Sequence, residues 1–179
     1  MQDRYQSAPT LREMIAGAQT NPALWASIRE RATVSDDAVR RVEQLGGHWH
    51  LLVISADWCI DSMSLVPYLD ALAERAGNLD LRIVDRDQNL DLMDAHLSPT
   101  GKRAIPVVVV YDEQFEDRGM WGSRPKALQD FIDGEGKTLP KDELMKAKRR
   151  WYSTDKGRST VEEVIALLER VAAETPAHS

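Results

Sequence analysis

The chain has 179 residues, of which 42% are hydrophobic and 29% charged, with a formal net charge of −6. This balance is typical of one folded domain with a sizeable core and excludes a disordered chain. The acidic charge argues against a general nucleic-acid binder. No apolar run approaches the ~20 residues of a membrane span, and the polar first seven residues lack the apolar segment of a secretory signal. We therefore expect a cytoplasmic protein with no membrane partner.

The residues that precede the first apolar strand predict helices. Apolar residues recur at helical spacing from Leu11 onward. Asn21-Pro22 marks a helix start, because proline is favoured at the first helical position. Ser35 caps a further helix, which Gly46-Gly47 ends. We therefore predict that residues 1–46 form a helical N-terminal extension.

Residues 47–133 alternate between strand and helix patterns. Strands are predicted from apolar or period-two patterns at His48–Ile54, Leu79–Val84, Val107–Tyr111 and Arg118–Trp121. Helices are predicted at Ser62–Arg75, Asn89–Leu97 and Ser123–Ile132. Strand–helix alternation that closes with a hairpin and a helix is typical of a mixed-sheet α/β domain with right-handed crossovers.

The last 46 residues, 134–179, predict a helical C-terminal extension. Gly134–Lys137 is predicted to be a mobile connector, and helices follow at Lys141–Tyr152 and Thr160–Ala173. The apolar faces of these helices need a surface to cover, so we expect them to pack on the core together with the N-terminal helices. The whole chain, 1–179, is then a single domain.

The only cysteine, Cys59, lies where the first strand ends and the next helix begins. One cysteine excludes an internal disulfide, which fits a reducing compartment. Free backbone N–H groups and the helix dipole favour negative charge at such a place, and this stabilises a thiolate. Cys59 is therefore either a nucleophile or a buried, inert cysteine kept as a small apolar residue.

The segment Trp58-Cys59-Ile60-Asp61-Ser62 resembles the active-site turn of the thioredoxin superfamily, with Ser62 where the second cysteine stands. Ile105-Pro106, ahead of a β-branched run, resembles the family's cis-proline, which faces the cysteine. The resemblance covers roughly Trp49 to Ile132. It implies a thioredoxin-like α/β fold: a mixed central sheet flanked by helices, here with extra helices at both termini. The family's usual first strand has no clear candidate.

Other segments resemble a bacterial group of thioredoxin-like proteins that keep Trp-Cys-x-Asp and lack the second cysteine. These are Asp85–Asn89, Trp121–Pro125, Trp151-Tyr152 and Lys156–Thr160.

This resemblance implies exchange through a single thiol. Cys59 attacks a disulfide and forms a mixed disulfide with a protein thiol or glutathione, and an external thiol resolves it. Val53 stands where the dithiol enzymes bury an acid, which argues against a full thioredoxin-type reductase. We predict monothiol thiol–disulfide exchange in cell redox homeostasis. One alternative is a non-catalytic thioredoxin-fold binding or assembly module, so the sequence leaves open whether the chain is an enzyme. Another is a homodimer linked through Cys59.

Three residues form the candidate catalytic set: Cys59, Asp61 and Ser62. Asp61 suits the first helical turn, but its charge opposes a thiolate. It is either a helix-capping residue or a proton-transfer group. Ser62 is either a hydrogen-bond donor to the sulfur or an ordinary first-turn serine.

The candidate substrate-binding residues surround this turn. The resemblance implies that Trp58 flanks the thiol and that Ile105-Pro106 offers backbone groups to an extended substrate. Arg103 and Arg86 either hold an anionic group, such as a glutathione carboxylate, or are solvated or paired with nearby acids, here the aspartates that flank Arg86. We expect the sulfur to lie exposed at the mouth of a groove, opposite Pro106.

Two further patterns are predicted to carry no chemistry. His48 and His50 alternate on one strand face, but two histidines without a third ligand favour polar residues at a strand start over a metal site. The basic run Lys146–Arg150 is predicted to be a solvated helix face. No phosphate loop or Ser/His/Asp arrangement is present. We predict no metal and no cofactor.

Overall fold

The computed structural model describes residues 1–174. The helices within this range are α1 (Gln2–Ser7), α2 (Leu11–Gly17), α3 (Pro22–Arg31), α4 (Asp36–Glu43), α5 (Ile60–Arg75), α6 (Leu90–Asp94), α7 (Lys126–Asp133), α8 (Lys141–Asp155) and α9 (Arg158–Glu174). The strands are β1 (Trp49–Ser55), β2 (Leu79–Asp85), β3 (Val107–Tyr111) and β4 (Asp117–Gly122). None of these helices combines the length and apolar character that crossing a membrane requires. The predicted single domain extends to residue 179, so its last five residues lie outside the described range.

The strands form one mixed sheet in the order β2-β1-β3-β4. β1 pairs with β2 in parallel and with β3 antiparallel, and β4 closes an antiparallel hairpin on β3. Every residue of β1 and β3 is buried, as expected of apolar runs covered on both faces. The predicted mixed α/β sheet is confirmed. Within residues 1–174 no strand precedes β1, so β2 is an edge of the sheet.

The two faces of the sheet carry separate apolar clusters, because successive strand residues point to opposite sides. Leu51 and Val53 face a large cluster with buried residues of α2 to α5, α7, α8 and α9. Leu52 and Ile54 face a smaller cluster that includes Tyr5 of α1 and residues of α6. Cys59 belongs to the smaller cluster.

The terminal helices pack on the core, as predicted. Trp25 of α3 is fully buried, and its indole N–H donates to the carbonyl oxygen of Asp57 at 2.8 Å. Arg41 of α4 bonds Glu162 at 2.7 Å and Glu169 at 2.9 Å, so ion pairs join the N-terminal helices to α9. The extensions are therefore built into the structure that supports the Cys59 turn.

Several predicted elements differ from the observed ones in their bounds, including the helix predicted from Ser123, which begins at Lys126, and one differs in kind. The predicted mobile connector forms a short 3₁₀ helix, Glu135–Thr138, in which Gly136 is buried. Helix α6 ends at Asp94 rather than Leu97. It ends early because the following loop closes on itself, with the Ser98 N–H donating to the Lys102 carbonyl at 2.9 Å.

Candidate functional site

Cys59 occupies the N-cap of α5, directly after the turn that leaves β1. Its Sγ accepts the backbone N–H of Ser62 at 3.4 Å, because an N-cap side chain faces the free N–H groups of the first helical turn. Its S–H donates to the carbonyl oxygen of Ile105, 3.8 Å away. The Ile105–Pro106 peptide bond is cis. The fold therefore brings the lone thiol beside the segment that enters β3.

The predicted exposure of the Cys59 sulfur is wrong. Cys59 is only 5% exposed, because it packs in the apolar cluster that also holds Ala56 and Ile105. The exposed residue at this turn is instead the preceding one, Trp58, which is 49% exposed. The guanidinium carbon of Arg86 lies 5.2 Å from the centroid of the Trp58 ring. At this turn the indole of Trp58 is therefore far more accessible than Cys59.

Ser62 contributes its backbone rather than its hydroxyl. The predicted hydrogen bond from the Ser62 hydroxyl to the sulfur is not formed, because Ser62 is the third residue of the helix and its N–H points back to the N-cap. Its Oγ is fully buried and has no hydrogen-bond partner among the described residues.

Asp61 is held by three side chains from outside its own helix. The Tyr152 hydroxyl donates to its Oδ1. Arg124 contacts Oδ2 through two nitrogens, at 2.9 and 3.1 Å, and the Nζ of Lys148 lies 3.2 Å from Oδ1. The side chain of Asp61 is 9% exposed. Asp61 therefore ties α5 to α8 and to the loop after β4. The helix-capping interpretation of Asp61 is wrong, because Cys59 holds that place.

These contacts determine the net charge of the Asp61 cluster, by which we mean Asp61 and its three partners Arg124, Lys148 and Tyr152. Burial raises the pKa of Asp61, but the Tyr152 hydrogen bond and the charges of Arg124 and Lys148 outweigh it and hold that pKa below its usual range. Burial, then Asp61, then Cys59 raise the pKa of the Tyr152 phenol. At neutral pH one carboxylate faces two cations and a neutral phenol. The Asp61 cluster therefore carries a net positive charge next to the first turn of α5.

Sequence patterns missed Lys148, Tyr152 and Arg124 as members of the site. The prediction of a solvated basic run is wrong for Lys148, which is 9% exposed and points at Asp61. The spacing of Lys148 and Tyr152 could have indicated that both side chains face the same neighbour, because residues four apart share one helix face.

Arg103 and Arg86 are both paired with acids. Arg103 makes two bonds to Asp94, at 2.6 and 2.8 Å, on an exposed surface. Arg86 bonds the neighbouring Asp87 at 2.9 Å. Both arginines therefore form ion pairs with acids, as the second interpretation predicted. The partner of Arg103, Asp94, was not predicted.

A cleft of about 480 Å³ adjoins the turn on the side of α1 and α2. Ser55 and Asp57 line it from the turn, and Arg4 and Gln19 are among the residues that line it from the N-terminal helices. The Asp57 carboxylate accepts the Gln19 N–H at 2.8 Å, which fixes the loop before α3 against the turn. The N-terminal extension therefore forms one wall beside the candidate site.

The four tyrosines should lose their phenol protons at higher pH in the folded protein than in the unfolded chain. Burial raises the pKa of all four phenols, that of Tyr111 to about 12. Unfolded phenols lose their protons near pH ~10, so above that pH the unfolded chain binds fewer protons and stability falls as pH rises. We expect tyrosinate absorbance to rise at higher pH in native protein than in guanidinium-unfolded protein. Coincident titration curves would contradict this.

A mixed sheet whose first observed strand leads into a helix capped by the lone cysteine defines a thioredoxin-like fold. A family model described as Thioredoxin matches residues 8–145, more than half of the chain. The chain therefore belongs to this thioredoxin family. Membership of the bacterial monothiol group stays a prediction.

Two solved structures share the fold. The chain is 21% identical to a protein of unknown function from Pseudomonas aeruginosa, with a TM-score of 0.71 over 92% of this chain and 94% of that one. It is 19% identical to an HIV epitope-scaffold protein, with a TM-score of 0.68 over 94% of this chain and 96% of that one. At these identities the likeness concerns the fold alone.

Proposed function

We propose that the protein exchanges thiols and disulfides through the single thiol of Cys59. One observation carries the proposal: the Cys59 Sγ caps α5, accepts the Ser62 N–H at 3.4 Å and lies 3.8 Å from the Ile105 carbonyl oxygen. Helix N-termini favour the thiolate, which is the attacking form.

The reaction has two displacements. The Cys59 thiolate attacks one sulfur of a disulfide R–S–S–R′; a Cys59–S–S–R bond forms and R′–S⁻ leaves, taking a proton from water. A second thiolate, from glutathione or a protein thiol, then attacks the R sulfur. This forms the new disulfide and returns the Cys59 thiolate. Across both steps, one incoming thiol is oxidised into the new disulfide with R, and the R′ half of the original disulfide is reduced and leaves as one thiol.

Resolution has to come from outside the chain. Cys59 is the only cysteine, and Val53 is fully buried in an apolar cluster where dithiol members of the superfamily place an acid. The Asp61 carboxylate is engaged by Tyr152 and two cations, so it acts as a fixed charge that positions α8 against α5 rather than as a proton carrier.

The substrate is expected to approach past Trp58. The exposed indole flanks the turn, and the backbone of Ile105-Pro106 adjoins the sulfur. An extended segment that carries a disulfide can pair with that backbone by β-augmentation. Arg103 is exposed, and it can exchange Asp94 for a substrate carboxylate at small cost, because exposed ion pairs contribute only about 0–1 kcal/mol.

Oxidised glutathione tests the proposal. We expect the native protein to gain one glutathione, seen as an intact-mass shift, and to lose it on addition of reduced glutathione. The Cys59→Ser variant should gain none. Guanidinium-unfolded protein treated in the same way is the control, which shows that the thiol is intact and can react. Modification of the unfolded chain with none of the native chain would overturn the proposal. Non-reducing electrophoresis of the same samples reveals any dimer linked through Cys59.

The second candidate is a binding or assembly module that does not use the thiol. The 5% exposure of Cys59 and its apolar packing favour this alternative. A partner retained equally by the wild type and by Cys59→Ala under reducing conditions would support the module. A partner lost on Cys59→Ala would support exchange.

A further inference from the structure

We propose that His48, His50 and Asp80 bind a divalent transition-metal ion of the zinc class. Their ligand atoms all lie within 4.8 Å of one another. The three residues stand at the start of β1 and β2, whereas Cys59 follows the other end of β1. Seven residues at about 3.3 Å each place the two sites roughly 20 Å apart. The proposal is therefore independent of thiol exchange.

Strand geometry builds this cluster. His48 and His50 are two residues apart, so their side chains share one face where β1 begins, and the ring centroids lie 5.0 Å apart. His50 is the register partner of Asp80 on the parallel neighbour β2, which places the carboxylate on the same face. Asp80 supplies the third ligand that the spacing of the histidines alone did not predict.

The ligand distances fit a tetrahedral ion. His48 Nε2 lies 2.8 Å from the Asp80 Oδ2, and His50 Nδ1 lies 3.7 Å from the same oxygen. Nitrogen and oxygen ligands about 2.1 Å from a Zn²⁺ ion stand about 3.4 Å apart in a tetrahedron. The observed separations lie on either side of that value. These two separations differ from it by about 0.6 Å or less, and all three ligand atoms lie within 4.8 Å of one another.

A buried nitrogen without a partner points into the cluster. His50 is 9% exposed, and its Nδ1 has no hydrogen bond from any described residue. By contrast, His96 has both ring nitrogens engaged, by the Leu92 carbonyl at 2.8 Å and by Asp117 at 2.7 Å. Buried polar atoms are normally satisfied, so an unpartnered imidazole nitrogen facing a carboxylate calls for a ligand.

The surroundings hold the His50 ring in place. Phe115 stacks on it with centroids 4.2 Å apart and an interplanar angle of 11°, and Tyr5 contacts it edge-on at 5.0 Å. The Glu113 carboxylate, which accepts the His48 N–H at 2.8 Å, adds negative charge nearby. A ligand fixed by packing loses little side-chain freedom on binding a cation.

The donor set selects the kind of metal. Two imidazoles and one carboxylate suit Zn²⁺, Co²⁺, Ni²⁺ and Cu²⁺, whereas Mg²⁺ and Ca²⁺ prefer oxygen ligands alone. Three protein ligands leave a fourth position for water or an exogenous group.

Zinc titration of tag-free Cys59→Ala protein, which lacks the competing thiol, tests the site. We expect one equivalent of Zn²⁺ to be taken from a chromophoric chelator. His48→Gln and Asp80→Asn, both at partly exposed side chains, should each weaken binding at least tenfold. Asp117→Asn is the matched control, because it removes a carboxylate that pairs with the single histidine His96. It should leave the affinity unchanged.

Thermal unfolding gives a second measurement. Zn²⁺ should raise the melting temperature of the Cys59→Ala protein and of its Asp117→Asn derivative, but not that of the Asp80→Asn derivative, because an ion that binds only the folded state stabilises it. Circular dichroism establishes that each variant is folded before titration. No Zn²⁺ uptake by the parent protein, or equal uptake by Asp80→Asn, would overturn the proposal.

Discussion

Replacing Asp61 with alanine is expected to destabilise the protein by about 3 kcal/mol. The substitution leaves Lys148 buried and Arg124 half-buried without the carboxylate that neutralises them, and removing one partner of a buried ion pair typically costs about 3–5 kcal/mol. Arg124 keeps some contact with water, which favours the lower end of that range. Urea unfolding followed by circular dichroism measures the change.

The control for this substitution is Asp130→Ala. Asp130 forms an exposed ion pair with Lys126 at 2.5 Å on α7, and such pairs contribute at most about 0.5 kcal/mol. Equal effects of the two alanine substitutions would show that the Asp61 cluster does not join α5 to α8.

Acid titration gives an independent signature of the same cluster. The pKa of Asp61 is lower in the folded protein than the usual value of about 4, so the unfolded chain takes up its proton first as pH falls. The stability that Asp61 contributes is therefore full above about pH 4 and is lost as pH falls toward the folded pKa. The difference in unfolding free energy between the wild type and Asp61→Asn should shrink over that interval. A difference that stays constant with pH would contradict the ionic role.

Replacing Gly157 with alanine is expected to cost about 2–4 kcal/mol. Gly157 connects α8 to α9 with φ of +71°, and an added Cβ would lie 2.2 Å from Cγ of Tyr68 on α5. The left-handed backbone costs a non-glycine residue about 1 kcal/mol, and overpacking typically adds about 1–3 kcal/mol. The melting temperature and the urea midpoint both report this loss.

Gly101→Ala separates the two contributions. Gly101 has a similar φ of +74°, but nothing lies within 4 Å of an added Cβ. This variant should therefore lose only about 1 kcal/mol, the cost of the backbone conformation alone. If the two glycine variants lose the same stability, the Tyr68 ring does not restrict the α8–α9 turn.

The positions of strands β1 to β3 along the chain could be predicted from local sequence patterns. The apolar runs that form β1 and β3 predicted buried strands, and the period-two pattern from Leu79 predicted β2. The position of Cys59 between a strand and a helix predicted its place at a helix N-terminus. These signals are reliable because strands and helices impose their periods on neighbouring residues, whichever partner they later meet.

Two features of the candidate site came only from long-range packing. Asp61 was predicted to be a cap or a proton carrier, but its partners Arg124, Lys148 and Tyr152 stand 63 to 91 residues further along the chain. The burial of Cys59 likewise depends on Ile105, 46 residues away. No periodic pattern near either residue encodes such contacts.

The sequence by itself determined the order of the strands and helices, the lone thiol at a helix start and two histidines on one strand face. Only the tertiary structure decided how buried that thiol is, which groups neutralise Asp61, and that Asp80 stands beside His48 and His50. Hydrophobic periodicity is a property of neighbouring residues. The burial and the charge of a side chain depend instead on groups that folding brings from distant parts of the chain.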